Sequence, residues 1–281
     1  MRSWSSPSWV CADERTPQSW HHGLMARWWA EYNHADPDEL AYYRGAIERF
    51  GQPALDLACG AGRLLVPLLE GGLDVDGVDI SYDMLARAKE LVQARGVRQP
   101  SLHAQAMHEL DQPRRYRTIY ICDSFRLGGY RDQDREALRR IHDHLEPGGA
   151  LIFSHDFPYD DVDDWSRWLP GHRGDYPGLW PGEGTSRPLP DGDELELMIR
   201  GWDFDPLLQR KSLEMRMRQW HGDAIVAEET RLLHENLCFA QEVLLMLRDA
   251  GFADALIEGR YTGVPATPDD ASVVFVAVRG T

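Results

Sequence analysis

Two short apolar runs, each ending in a carboxylate, constrain this chain more than anything else in it. The first is Ala54-Leu55-Asp56-Leu57, followed by the small-residue turn Ala58-Cys59-Gly60-Ala61-Gly62 and Arg63. The second is Val75-Asp76-Gly77-Val78-Asp79-Ile80, with Asp79 nineteen positions after Gly60. Runs of this length suit buried strands, and the turn between them opens a helix, so the stretch reads as a parallel βαβ unit. Gly60 and Gly62 leave the backbone bare, and a ligand can lie against it. An acid closing the second strand stands where a ribose diol would donate hydrogen bonds to it. Together they describe a nucleoside-shaped ligand across the ends of two parallel strands. Asp76, three residues before Asp79, reads as a solvated acid.

The turn narrows the choice of nucleoside. A dinucleotide loop would read Gly-x-Gly-x-x-Gly, with pyrophosphate on the helix N-terminus. Here Leu65 stands at the third glycine position and Asp56 sits just ahead of the loop. A carboxylate is a poor neighbour for pyrophosphate and a good one for an ammonium or sulfonium group. The segment resembles the first motif of the class I S-adenosylmethionine (SAM)-dependent methyltransferases, an acidic residue followed by alternating glycines. Ala58 departs from that pattern, where glycine is common; alanine is a mild change there at negative φ.

The chain continues the alternation. Residues 54–57, 73–78, 102–106, 117–122 and 150–154 read as strands, with helices over 62–70, 81–91 and 133–145 between them. Pro147-Gly148-Gly149 is a sharp stop before the fifth strand. This order implies an α/β protein with a parallel sheet covered by helices on both faces. Ahead of it, residues 23–32 and 37–50 read as two helices, the second capped by Asp36. After His155 the pattern changes: residues 156–192 are rich in Pro, Gly, Asp and Trp and read as irregular loop. Period-two runs follow at Leu195, Leu197 and Ile199, at Leu213, Met215 and Met217, and at Ile225 and Ala227, an inserted antiparallel three-stranded meander. A helix over 239–250 and strands over 255–261 and 272–278 close the chain. The expected division is a flexible leader (1–22), a core with an N-terminal helical cover (23–155), an inserted substrate cap (156–236) and completion of the core (237–281).

The same order of elements resembles the class I methyltransferase fold, a seven-stranded sheet ending in a hairpin pair, and the inserted layer looks like the cap of small-molecule methyltransferases. The resemblance implies that Asp56, Ala58, Gly60 and Gly62 surround the methionine part of SAM and that Asp79 binds its ribose. Ile80 and Met84 would flank the adenine, with Ala106 and Met107 near its exocyclic amine. Cys122 and Asp123, ending the fourth strand, would face the sulfonium and the acceptor. An N-terminal helix covers the cofactor in the resembling families, and Tyr32 and Tyr43 are the aromatics chosen for that role, since a sulfonium favours an aromatic face. His155 and Asp156, where the fifth strand opens into the cap, are the catalytic candidates: a histidine there could take the acceptor's proton, or merely shape the pocket. Trp165, Trp168 and Arg200 are candidate acceptor contacts, with simple packing as the alternative. The histidines and cysteines lack metal-ligand spacing, so no metal is expected.

Composition excludes some classes. A net charge of −16, with basic residues interleaved among acids as in Arg131-Asp132-Gln133-Asp134-Arg135-Glu136, disfavours a nucleic-acid partner and favours a small molecule. No apolar run approaches membrane-spanning length, and the polar N-terminus lacks a signal-peptide core. Four cysteines without paired spacing suit reduced thiols in a cytoplasmic protein. The reading is transfer of the SAM methyl group to N, O or C of a small-molecule acceptor by in-line displacement. The alternatives are a nicotinamide-dependent oxidoreductase and a non-catalytic SAM-binding module.

Overall fold

The structure, a computed structural model, describes residues 21–159 and 161–281. The expected leader thus lies outside the described residues, apart from His21 and His22. α1 (Gly23–Tyr32) and α2 (Pro37–Phe50) lead into β1 (Ala54–Leu57), α3 (Leu65–Glu70), β2 (Val75–Asp79), α4 (Tyr82–Arg95) and β3 (Leu102–Ala104). A single 3-10 turn, Met107–Glu109, precedes β4 (Tyr116–Ile121), α5 (Arg131–His144) and β5 (Leu145–Asp156). Next come α6 (Val162–Ser166), β6 (Thr185–Pro188), β7 (Glu194–Asp205), β8 (Arg210–His221) and β9 (Ala224–Asn236). The chain closes with α7 (Ala240–Asp249), β10 (Phe252–Gly259) and β11 (Ser272–Arg279).

Seven strands form one mixed sheet in the order β10-β11-β5-β4-β1-β2-β3, parallel from β5 to β3 and antiparallel at β10 and β11. Alternate residues of each strand go to opposite faces. Ile119, Ile121, Leu151, Phe153 and Phe275 pack with Leu138 and Ile141 of α5 and Val243 and Leu247 of α7. Tyr120, Ile152, Val274 and Val276 pack on the other face with Ile47 of α2, Leu65 and Leu68 of α3 and Val92 of α4. Asp36 caps α2 by accepting the Asp38 N–H at 2.8 Å, and Ser81 caps α4 by accepting the Met84 N–H at 3.2 Å. Asp76 is not a solvated acid: it is buried, accepting from Ser101 N at 3.0 Å and Arg114 Nη1 at 3.1 Å.

The inserted layer is an antiparallel sheet of four strands, β6-β7-β8-β9, one more than the apolar alternation suggests. All four residues of β6 are exposed and the last is a proline, so no period-two signal marks it. The inner face of this sheet, with Leu195, Met215, Met217 and Leu233, packs on Met25 and Trp28 of α1. α1 is also tied at its start, Gly23 N donating to Asp83 Oδ2 and Met25 N to Glu229 Oε1, both at 2.8 Å. It therefore bridges the core and the cap. Among the described residues, no helix is long and apolar enough to cross a membrane.

Candidate active site

A cavity of about 460 Å³ opens at the carboxyl ends of β1, β2 and β4. Its floor is the turn after β1, with Asp79 at the end of β2, Ile80 just beyond it, and Cys122 and Asp123 beyond β4. Trp29 and Asn33 and the cap residues Ile199, Leu213, Met215 and Leu233 close it from above. In open α/β sheets this end of the strands is where ligands sit.

The floor is built by left-handed turns. Gly60 (φ 54°) and Gly62 (φ 89°) adopt them freely, but Ala58 also does, at φ 69°, so alanine here is not the mild change expected at negative φ. Such a backbone costs a Cβ-bearing residue about 1–2 kcal/mol. The turn is held by Val78, whose carbonyl accepts from Ala58 N at 2.7 Å and Cys59 N at 3.0 Å. A Cβ at 60 would come within 3.2 Å of Met84 Cε, and one at 62 within 3.1 Å of Val66 Cγ2. Asp79, only 5% exposed, joins the two sequence runs: Oδ2 accepts from Gly60 N at 2.9 Å and Oδ1 from Ser81 N at 2.8 Å. Burial pushes its carboxyl up, against the pull of those two bonds. Asp56 lies behind the turn beside Tyr120, where burial pushes its carboxyl up to about 7.

Beside Cys122 stands a polar cluster that sequence reasoning missed. Arg63 grips Glu39 of α2 with both terminal nitrogens, and its Nη2 also donates to Cys122 Sγ at 3.0 Å. Glu39 Oε1 accepts from the Cys122 thiol at 2.8 Å and from the Tyr261 hydroxyl at 3.2 Å. Burial, the largest effect, pushes Glu39 up, yet the bonds from Arg63, Cys122 and Tyr261 together hold it below the ordinary carboxylate range. Burial and the neighbouring acids keep the Cys122 thiol protonated. Glu39, Cys122 and Asp123 are close enough to share a cation, but the Arg63 guanidinium already stands among them. Asp123 is left-handed, at φ 53°. Its Oδ1 accepts from Ser154 Oγ at 2.7 Å and from Arg260 Nη2 at 3.2 Å, and its side chain stays 37% exposed. Glu39, Arg63, the Cys122-Asp123 pair and Tyr261 come from four separate stretches of the chain, so no local motif announces the cluster.

Of the residues singled out from sequence, Ala58, Gly60, Asp79, Ile80, Met84, Ala106, Met107, Cys122 and Asp123 line the cavity, while Asp56 and Gly62 support the turn from behind. Seven others lie elsewhere. Tyr43 is fully buried, its ring 5.1 Å from Tyr120 and 5.8 Å from Tyr261. Tyr32 turns to the cap, its hydroxyl donating to the Pro188 carbonyl, and Trp29 takes the cavity-facing position of α1 instead. His155 shares the strand parity of Leu151 and Phe153, so its ring packs on Phe157 and Phe275 and Nε2 lies 3.0 Å from the Cys238 carbonyl. Burial there lowers its pKa to about 3. Asp156 accepts from Arg260 Nη1 at 2.9 Å and Ser272 Oγ at 2.6 Å. Trp165 and Trp168 cluster with Phe239, and Trp168 borders a separate cavity of about 240 Å³. The alternation that brings Ile199 to the main cavity sends Arg200 away, to lie over the Trp180 ring at 4.4 Å. Conversely, Arg126, Leu127 and Asp134 line the cavity unforeseen.

The strand order and the site at the carboxyl ends of the parallel strands define the class I fold of SAM-dependent methyltransferases. Residues 54–149 match the family described as "Methyltransferase domain". Demethylmenaquinone methyltransferase of Thermus thermophilus is 33% identical over 109 residues, 38% of this chain and 48% of that protein. Glycine N-methyltransferase of Mus musculus is 29% identical over 164 residues, 51% of this chain and 55% of that protein. The chain thus spans about half the length of these curated relatives. Among solved structures, the sugar N-methyltransferase KedS8 from Streptoalloteichus sp ATCC 53650 superposes with a TM-score of 0.65 at 19% identity, over 100% of this chain and 99% of that one. The cofactor of the class, SAM, fits the site: the glycine turn leaves a backbone cradle that a Cβ would narrow, and the buried Asp79 borders it.

Proposed function

We propose that this protein transfers the methyl group of SAM to the nitrogen of a small-molecule amine. The observation that carries the reading is Asp79, buried at the cavity wall and bonded to the Gly60 N–H of the bare turn. When bound, SAM supplies an electrophilic methyl group on a sulfonium. Asp79 accepts hydrogen bonds from the ribose hydroxyls, and Ile80, Met84, Ala106 and Met107 flank the adenine. Cys122 and Asp123 face the acceptor at the end of β4. Holding an acceptor in line with the methyl group supplies much of the rate, about 7–11 kcal/mol in well-oriented cases.

An amine must be unprotonated to attack. Asp123 takes that proton in our reading: its carboxylate lines the cavity, is held by Ser154 and Arg260, and keeps contact with solvent. It fills the role first considered for His155, whose ring lies in the apolar core. The acids Asp123 and Asp134 in one cavity suit a cationic acceptor. The names of two proteins similar to this chain, a glycine and a sugar N-methyltransferase, support nitrogen as the methylated atom.

Calorimetry with SAM, S-adenosylhomocysteine and NAD tests the cofactor: micromolar binding of the first two and none of NAD is expected, and equal binding of NAD overturns the reading. Turnover of a panel of small amines with methyl-labelled SAM tests the chemistry. Asp123→Asn should lower turnover at least tenfold while S-adenosylhomocysteine binds as in the parent. Labelled product on hydroxyl acceptors alone would overturn the choice of nitrogen, and no product on any acceptor would leave a SAM-binding module.

A further inference from the structure

Asp134 stands in the first turn of α5 and lines the main cavity, yet it is only 7% exposed. Its Oδ2 accepts from Asn236 Nδ2 at 2.7 Å. Oδ1 accepts no hydrogen bond among the described residues and is not sealed off by its neighbours, so it is the oxygen left for a ligand. A buried carboxylate is costly to keep without a cationic partner. Among the described residues, no cation stands within ion-pair distance of Asp134, and the two nearby guanidiniums are engaged elsewhere. Arg126 Nη1 donates to the Asn236 carbonyl and lies 3.7 Å from Glu235 Oε1, while Glu235 Oε2 also takes Lys211 Nζ at 3.0 Å. Arg131 donates to Cys238 Sγ at 3.0 Å, to Gln209 Oε1 at 3.0 Å and to the Leu237 carbonyl at 2.8 Å. Burial, the largest effect, pushes the Asp134 carboxyl up to about 6, against the pull of Asn236 and both guanidiniums. Acids perturbed in this way inside a cleft gather at functional sites. Leu127, Ala137, Leu213 and Leu233 give the same cavity apolar walls.

We propose that Asp134 holds a second, positively charged nitrogen of the acceptor, a protonated amine that donates a hydrogen bond to Oδ1, while the nitrogen to be methylated stands at Asp123. The acceptor is then a diamine on a hydrocarbon frame. Charge selects this ligand chemistry. A hydroxyl would give Oδ1 its hydrogen bond but leave the buried negative charge without a counter-charge, and a ligand carboxylate would add to that charge. An ammonium supplies both the hydrogen bond and the counter-charge. The apolar walls suit the hydrocarbon between the two nitrogens, and the net charge of −16 favours the approach of a cation. Asp134 holds the nitrogen that is not methylated, so it sets specificity rather than chemistry. This inference rests on the methyl-transfer reading of the cavity.

Three matched series test it: straight-chain primary monoamines, α,ω-diamines and α,ω-amino alcohols of three to six carbons, titrated at pH 7.5 into protein saturated with S-adenosylhomocysteine. At one chain length or more, the parent should bind the diamine at least tenfold more tightly than both the monoamine and the amino alcohol of that length. In Asp134→Asn, which keeps an oxygen for Asn236, that preference should fall below threefold while affinity for S-adenosylhomocysteine stays within threefold of the parent. A diamine preference under tenfold at every length, or binding of none of the probes, overturns the inference. So does a preference of threefold or more that survives in Asp134→Asn. A larger loss of S-adenosylhomocysteine affinity in the variant assigns Asp134 to the cofactor and overturns it too. If the variant does not fold, a crystal structure of the parent with S-adenosylhomocysteine and the preferred diamine decides: an ammonium within hydrogen-bond distance of Oδ1 supports the inference, and one bound elsewhere overturns it. Failure of the diamines alone leaves the methyl-transfer reading standing. Failure of the parent to bind S-adenosylhomocysteine at all removes that reading, and the inference falls with it.

Discussion

Asp79 uses one carboxylate oxygen on Gly60 and the other on Ser81, so its loss should be felt both by the turn and by the ligand that lies on it. Asp79→Ala should weaken S-adenosylhomocysteine binding by about 1.5–3 kcal/mol in calorimetry, the worth of hydrogen bonds to a charged group. Asp76→Ala should do the reverse, lowering stability by on the order of 2 kcal/mol in urea with affinity near the parent's, because Asp76 is paired with Arg114. Two buried groups should also shape stability against pH in opposite senses. Asp56 is raised from 3.8 to about 7, so its contribution is whole below pH 4 and is lost as pH rises through 7. His155 is lowered from 6.5 to about 3, so its contribution is whole above pH 6.5 and is lost as pH falls towards 3. Parent-minus-variant stability should therefore decline from pH 4 to 7.5 for Asp56→Asn and decline from pH 7 to 4 for His155→Phe, measured by urea denaturation at each pH; a flat difference for either contradicts its burial. Some of these placements at the cavity could be read from sequence. Asp79 was legible from its spacing, and Asp134 had a signal, for it precedes Leu138 by four residues and so shares the buried face of α5. Arg126 had none, because its place depends on a left-handed turn and on Asn236, 110 residues away.

α1 shows where element-level reading stops. Its helical character was legible in the sequence, but which aromatic faces the ligand was not. Adjacent Trp28 and Trp29 go to the cap core and the cavity respectively, and only the position of the cap decides between them. The alternation of strands and helices from β1 to β5 was legible because each element carries its own period. β6 was not, because it is exposed throughout and draws its hydrogen bonds from β7 alone. The helix is pinned to the cap by Met25, fully buried against β8 and its neighbours. Met25→Ala should cost about 2–5 kcal/mol. Amide exchange over residues 23–32 should speed up while β4 stays protected, and S-adenosylhomocysteine should bind more weakly as its cover loosens. Unchanged exchange in α1 would mean that the ties to Asp83 and Glu229 suffice without the apolar contact.

In the whole molecule, labour is divided between two sheets. The seven-stranded sheet supplies the turn after β1, the acid that ends β2 and the carboxylate after β4, all at one end. The antiparallel layer closes that end with apolar side chains and brings Asn236 against the loop that carries Arg126. The polar groups thus come from the core together with part of the apolar lining, while the cap residues Ile199, Leu213, Met215 and Leu233 are all apolar, a distribution that suits a polar cofactor below and a partly hydrocarbon acceptor above. The measurement that bears most directly on this account is a crystal structure with S-adenosylhomocysteine. The account expects both ribose hydroxyls within hydrogen-bond distance of the Asp79 carboxylate, the adenine between Ile80 and Met107, and the sulfur facing Asp123. A ribose bound away from Asp79, or the ligand lodged outside this cavity, would contradict it.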